Sequence, residues 1–546
     1  MTEPLRMTWV QPEDLLGHEL RQAAEDGRDP TAVASTWYAA GGPPSPPRAG
    51  ASTLPAAPEL RALALTLLSE LADLPGPSAE REPTELPDIV RACGVEWPTE
   101  PPAPARAAPP ATAEAGERPR PVASPTAVEG HRTGAGTATP RGPGGLAPDP
   151  GAGSAGDHTP STTAPRSAPP GPTDATIGGP GGPPQVSGRG GTGEHTPLGA
   201  RQLHAAWLGR AAGCLLGKPV EKLTLPAIRA LARATGNWPL NSWFTAEGVP
   251  ADLAAAHPWN RRSAAGSLAE NIDGMPEDDD LNYPLLNVLL LQRYGRGFRT
   301  ADVARLWLDQ LPAGRTFTAE RVAYRNLLSG IEPPDTARHH NPFREWIGAA
   351  IRADVHGWTH PGDPASAAAQ AHRDATLTHT SNGVYSAMFV AGTIAAAGGG
   401  ADVHASLRAG LAVVPPRSRL AEAVRHAIGT ARAHNDFDTV VDRLHATHGH
   451  HHWVHAIPNA ALLAAALTHA DGDFTGSICR AVSGGWDTDS NGATAGSVAG
   501  LLAGHPDRLP ERWTAPLKNR LATSVVGFDG IGFDELARLT QEALRP

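Results

Sequence analysis

Residues Gly484 to Leu502 read GGWDTDSNGATAGSVAGLL. The second half, from Asn491, is made almost wholly of Ala, Gly, Ser, Thr, Val and Leu. Such a helix is expected to be buried on every side, because its small residues let neighbouring helices approach closely. The same texture returns in GTIAAAGGG (392–400) and AAALTHA (464–470). Around these lie further segments with apolar residues at helical spacing, including RQLHAAWLGRAAGCLLG, YPLLNVLLLQRYG, TADVARLWLDQLPAG, NGVYSAMFVAGTIAAAGGG, RLAEAVRHAIGTARAH and PNAALLAAALTHADGD. Many end in Gly, as a left-handed cap favours. Period-two alternation is absent. The fold class is therefore all-α, a compact multi-helix bundle occupying residues 197–546.

The remainder of the 546 residues divides in two. Residues 98–196 hold no aromatic residue and almost no large aliphatic one, as in APPATAEAGERPRPVASPTAVEG. Such a stretch cannot bury enough apolar surface to offset its ordering entropy, so a disordered Pro/Gly/Ala-rich linker is expected. Residues 1–97 form a small helical accessory module, with PEDLLGHELRQAAEDG, PELRALALTLLSELADLPG and ELPDIVRACG as its helices. Trp9, Trp37 and Trp97 are available for its core. No residue pattern names a partner for this module.

Composition excludes several functions. A formal charge of −10 with no basic stripe argues against nucleic-acid binding. No apolar run is long enough for a membrane span, and MTEPLRMTWVQPEDLL lacks the order of a signal peptide. Three scattered cysteines suit a reducing cytoplasm and make neither a disulfide frame nor a zinc motif. Lysine is nearly absent: Lys218, Lys222 and Lys518 are all there are, as GC-rich coding would give.

Two acidic segments stand out. In PEDDDLNY, Asp278, Asp279 and Asp280 precede the apolar run PLLNVLLLQRY. One acid would suffice to cap a helix and complement its dipole. Three in a row repel one another, and a hard cation would relieve that, since Mg²⁺ and Ca²⁺ prefer carboxylate oxygens. In the opening stretch Asp487 and Asp489 alternate, which in an extended loop turns both carboxylates to one side, and Ser490 offers a hydroxyl. The two segments are expected to be halves of one polynuclear oxygen-ligand site, with two separate capping loops as the alternative.

Three further segments are candidates. GCLLGKPVEK (213–222) has Gly213 and Gly217 four apart, leaving one helix face bare, and ends beside Glu221. THTSNGVYSAMFVAG (378–392) enters a helix through a polar turn whose free N–H groups favour phosphate, although a plain helix cap would read the same. HATHGHHHWVHAIPN (445–459) has no Cys partners and no HExxH pattern, so it reads as a surface loop with adventitious metal affinity. His455, next to a helix start at Pro458, could face a pocket.

Taken in order, these motifs resemble the ADP-ribosylglycohydrolase family, of the dinitrogenase-reductase-activating type, over about residues 200–530. The resemblance implies an all-α fold holding two divalent ions, Mg²⁺ or Mn²⁺. It places metal ligands on Asp278, Asp279, Asp280, Asp487, Asp489 and Ser490. It places catalytic roles on Asp278, Asp279 and Glu221. Substrate binding falls on Ser381, Asn382 and Gly383, with Tyr385 and His455 beside them. The chain departs from the family in having Asp278 for a hydroxyl residue, Leu281-Asn282 after the acids, and Trp486 where glycine is frequent. It looks like a DDDLNY-type subgroup.

The implied activity is hydrolysis of the glycosidic bond at the anomeric carbon of ADP-ribose, on a modified protein or a small molecule, through an oxocarbenium-like transition state. The ions would grip the ribose hydroxyls and activate water. Two other classes remain open at this point. One is a metal-dependent nucleosidase or N-glycosidase acting on a small nucleoside-like substrate. The other is a non-catalytic ADP-ribose-binding protein.

Overall fold

Two glycine-lined helices cross at the centre of the protein. The computed structural model describes residues 11–46, 49–50, 52, 54–76, 81–94, 197–260 and 263–544. The expected linker, Trp9 and Trp97 lie outside the described residues. In chain order, the helices that build the core and the site are α1 (Pro12–Glu25), α2 (Thr31–Ala39), α3 (Pro58–Asp73), α4 (Leu86–Cys93), α5 (Ala200–Gly217), α6 (Asp279–Tyr294), α7 (Ser381–Gly398), α8 (Arg419–Ala433), α9 (Ala456–Ala470) and α10 (Thr488–Ala503). Further helices join them. Among the described residues there is no strand, only three isolated bridges. No described helix is long and apolar enough to cross a membrane.

Helices α5 and α10 run antiparallel with their backbones in contact. A Cβ at Gly213 would lie 1.8 Å from the Gly492 carbonyl oxygen, and one at Gly209 would lie 2.1 Å from that of Gly496. One at Gly217 would lie 2.3 Å from the Thr488 carbonyl oxygen, so the crossing continues to the C-terminus of α5 and the N-terminus of α10. The Thr488 hydroxyl closes the contact by donating to the Gly217 carbonyl at 2.8 Å. Buried apolar side chains from all parts of the bundle surround the pair, Trp207, Leu215, Leu281, Phe389, Leu462 and Val498 among them.

Both acidic segments are more helical than their sequences suggest. α6 begins at Asp279 and takes Pro284 into its interior, rather than starting after the acids. Proline has no N–H to give the carbonyl four residues back. That carbonyl belongs to Asp280, and Arg210 Nε donates to it at 2.7 Å. A buried arginine on α5 thus repairs the break and makes the early helix start tolerable. In the other segment Asp487 is the N-cap of α10, and Asp489 and Ser490 are in its first turn rather than in an extended loop.

The N-terminal helices are docked on the bundle: described residues 11–94 and 197–544 belong to one compact unit. Leu15, Leu16, Leu20, Trp37, Leu67, Leu68 and Leu71 from α1–α3 share a core with Ala319, Val322, Phe343 and Trp346. The His18 ring packs edge-on to Phe343 and Trp346, at centroid distances of 5.2 and 5.7 Å. Arg344 pairs with Glu19 at 2.8 Å. The partner that the sequence leaves unnamed for these helices includes the chain's own bundle.

Replacing Gly213 by Ala should cost about 3 kcal/mol or more, because a methyl group there meets backbone that cannot move aside. Gly429 in α8 is exposed, and a Cβ there meets nothing within 4 Å. Gly429→Ala should therefore be neutral or stabilising by up to about 1 kcal/mol. Thermal unfolding of the two variants beside the parent protein checks both expectations.

Candidate active site

The α5/α10 crossing carries the C-terminal end of α5 to the first turn of α10. Glu221 follows α5 by a single 3₁₀ turn, Lys218–Val220. It lies with Asp487 and Asp489 so that one ligand atom from each falls within 4.8 Å of the others. Asp278, Asp280 and Cys214 form a second group meeting the same limit. The Ser490 hydroxyl donates to Asp280 Oδ2 at 3.1 Å and joins the two groups. Asp279 is half-buried between them and feels the charges of Asp278, Asp489 and Glu221. All six carboxylates and the serine named from sequence are thus brought together.

Each acid is held by a specific neighbour. Asp278 is the N-cap of α6, its carboxylate accepting from the Asp280 backbone N–H at 2.9 Å while it pairs with the Lys218 ammonium. Asp280 is gripped by Arg210, which contacts its Oδ1 at 3.2 Å and also pairs with Asp354 at 2.8 Å. Glu221 accepts from Asn260 at 2.7 Å and pairs with Lys222. Asn459 on α9 accepts from the Asp487 backbone N–H at 3.0 Å and from the Asn491 side chain at 2.7 Å, fixing the start of α10. Trp486, just before it, has a φ of +54° and stacks on His445 with centroids 3.8 Å apart. Glycine suits that conformation better, and the ring stack is what holds a tryptophan in it.

The acids outnumber the cationic side chains that the fold sets against them. Six carboxylates face three cationic side chains, Lys218, Arg210 and Lys222, and Arg210 is shared with Asp354. Burial, and then the neighbouring carboxylates, push Asp279 and Asp487 well above the usual aspartate range. Burial and Asp278 do the same to Asp280, against the pull of Arg210. Burial and Glu221 raise Asp489 to about 7. Burial works against Asp278 as well, but the Lys218 ammonium outweighs it and holds that carboxyl below the usual range. Hard oxygen donors with excess negative charge fit Mg²⁺ or Mn²⁺. Burial, with Asp278 and Asp280 beside it, pushes the Cys214 thiol well above its usual range.

The second half of the expected site is built differently. Ser381, Asn382 and Gly383 do open α7, but Ser381 and Asn382 are engaged by residues 82–84 from the N-terminal part of the chain. The Ser381 hydroxyl donates to the Glu82 carbonyl at 3.1 Å, and the Asn382 amide donates to the Glu82 carboxylate at 2.9 Å. Tyr385 donates its hydroxyl to the Pro83 carbonyl. Arg419 closes over the same Glu82 carboxylate at 2.7 Å and pairs with Glu345 at 2.9 Å. An acid of the chain therefore sits on the turn that the sequence marks for an anion. His455 is fully buried and faces Glu25 and Glu345 rather than the aspartates.

Residues 197–545 match the family model described as ADP-ribosylglycohydrolase. The chain belongs to the ADP-ribosylglycohydrolase family. A solved structure described as an ADP-ribosylglycohydrolase-related protein complex is 21% identical, with a TM-score of 0.41 over 63% of this chain and 97% of that one. No curated protein matches. Sequence reasoning passed over Lys218, Arg210 and Asn459. Lysine rarity was the signal for the first, since two of the chain's three lysines lie against the acids.

A carboxyl whose pKa is higher in the fold than in the unfolded chain supports the fold while protonated and loses that contribution as pH rises. For this ADP-ribosylglycohydrolase family member without cations, the contribution of the raised acids, Asp279, Asp280, Asp487 and Asp489, is full below about pH 4 and is lost on the way through about 7 for Asp489, while Asp278 acts in the opposite sense. Added Mn²⁺ should therefore raise the thermal midpoint several degrees more at pH 8 than at pH 5. Scans with Mn²⁺ and with chelator at each pH give the difference, which cancels the titration of groups elsewhere.

Proposed function

We propose that this chain is a divalent-metal-dependent hydrolase that cleaves the glycosidic bond of an ADP-ribosyl group on a modified protein or small molecule. Asp279, Asp280, Asp487, Asp489 and Ser490 would hold two ions, Mg²⁺ or Mn²⁺. The observation that carries this reading is the joining of two buried acidic groups, through Ser490 and Asp280, in a chain of this family. When bound, such ions supply a template for the sugar hydroxyls and a more acidic water. Asp279, half-buried and without a salt bridge among the described residues, would be the carboxylate that takes a proton from water. Glu221, oriented by Asn260 and Lys222, would gate the site or assist the leaving group. Asp278 is better suited to fixing the start of α6 than to acting as a base, because Lys218 and the Asp280 N–H occupy its oxygens. A cytoplasmic location, and no part for nucleic acid or membrane, belong to the same reading.

Ser381, Asn382, Gly383 and Tyr385 would take the pyrophosphate or adenosine side of the substrate once residues 82–84 yield that position. Glu82→Ala should then lower the dissociation constant for ADP-ribose, which calorimetry measures directly. An unchanged or weaker affinity would remove these four residues from the substrate site. His455 has no part in this reading.

The deciding assay is release of free ADP-ribose from a mixed pool of ADP-ribosylated protein, with Mg²⁺, with Mn²⁺ and with chelator. Release is expected with metal and lost with chelator. Asp489→Asn should reduce it about 100-fold or more, at least the cost of disturbing the support of a metal ligand. Tight binding of ADP-ribose without release would make the protein a reader. Turnover of free nucleosides in place of modified protein would make it a nucleosidase.

A further inference from the structure

Two lysines stand against the acidic cluster, and they are held differently. Lys218 is locked in, its side chain 6% exposed against an Asp278 that is 7% exposed. Lys222 is at the rim, its side chain 35% exposed, with its ammonium on Glu221. The backbone at Lys222 is one that lysine rarely adopts. The Leu223 N–H donates to the Val220 carbonyl at 3.0 Å and closes a turn. Its central residues are Glu221, at φ −51° and ψ 135°, and Lys222, at φ +71°. That is a type II turn, whose third residue is favoured as glycine. A strained position of this kind points to a use for the side chain that stands there.

Both oxygens of Glu221 are engaged. Asn260 donates to Oε2 at 2.7 Å, and the Lys222 ammonium pairs with Oε1. Yet Glu221 is one of three acids, with Asp487 and Asp489, whose ligand atoms all lie within 4.8 Å of one another. A dication among these three and an ammonium on Oε1 repel each other at close range, so the two cations contend for one carboxylate. Lysine suits such a post. Its ammonium is a compact charge on a flexible stem, whereas the arginine fork fixes a carboxylate in one geometry. The Trp453 ring lies 5.8 Å from Lys222 Nζ, near enough to attract the ammonium once it leaves the carboxylate.

We propose that Lys222 is a displaceable cation of the acidic site, whose ammonium competes with a divalent ion for Glu221 and yields the carboxylate when the ion binds. This rests on the metal-dependent reading above and gives physical form to the gate at Glu221. Lys222 then sets the ion concentration at which the Glu221, Asp487 and Asp489 group fills. Lys218, buried with Asp278, stays in place as the fixed countercharge.

The chain's three lysines make displacement directly measurable on the parent protein. The full chain is treated briefly with N-hydroxysuccinimidyl acetate, with Mn²⁺ or with chelator, and acetylation of each lysine is read by peptide mass spectrometry. Mn²⁺ should speed acetylation of Lys222 several-fold. Lys518, exposed and paired with Asp273, is the internal reference and should not change. Calorimetry then gives Mn²⁺ affinities. Lys222→Met should bind Mn²⁺ about tenfold or more tighter than the parent, the low end for removing one charge beside a dication. Lys518→Met should match the parent. In a Glu221→Gln background Lys222→Met should gain only about twofold or less, because no carboxylate is left there to contend for. Unchanged or slower acetylation of Lys222 with Mn²⁺, equal affinity in Lys222→Met and the parent, or an undiminished gain in the Glu221→Gln background would overturn the competition while leaving the metal site. Absence of Mn²⁺ binding from both the parent and Lys222→Met is a different failure, which removes the metal-dependent reading and this inference with it.

Discussion

The bundle depends on one contact, the approach of α5 to α10 with no side chain between them. Glycines at 209, 213 and 217 meet carbonyl oxygens of the facing helix at distances that leave no room for a methyl group. Hydrophobic burial holds the two helices together, but it is the absence of side chains that sets how close they come. Everything attached to their ends inherits that spacing. Lys218, Glu221, Asp487 and Asp489 all sit within a few residues of the crossing. A change in interhelical distance would therefore act on the acids directly.

The second constraint is electrical. Burying six carboxylates together is unfavourable, and the fold meets part of the cost with three cationic side chains. Arg210 contributes twice, once as a countercharge to Asp280 and Asp354 and once as the donor that Pro284 cannot be. The remaining negative charge is what distinguishes the cluster from a set of helix caps and makes it a candidate for cations. The sequence left those two readings open. The link from Ser490 to Asp280, across some two hundred residues, is what turns two capped helices into one cluster.

How much of this was legible depended on range. The helices announced themselves through local spacing and small residues, and the acids through their unusual density. Helix starts were less legible. Pro284 and the Asp487–Asp489 alternation both suggested later starts, because the compensating donors, Arg210 and Asn459, lie far away in sequence. The N-terminal helices read as a module of their own because each is amphipathic. Nothing local reveals that Phe343 and Trp346 complete their core. The Ser-Asn-Gly turn was recognisable as a helix entrance suited to an anion, but the acid that occupies it comes from residue 82.

The crossing also has a consequence in time. The Thr488 to Gly217 contact spans 271 positions of the chain. At roughly 5–20 residues per second, a ribosome needs about 14 to 54 seconds to make the second half of the contact after the first. During that interval the glycine face of α5 has no α10 to pack against, and Lys218 can pair with Asp278 before Asp487 and Asp489 exist. The aspartates of α10 are the last acids of the cluster to be made, so its full repulsion is met only when most of the surrounding core is available to contain it.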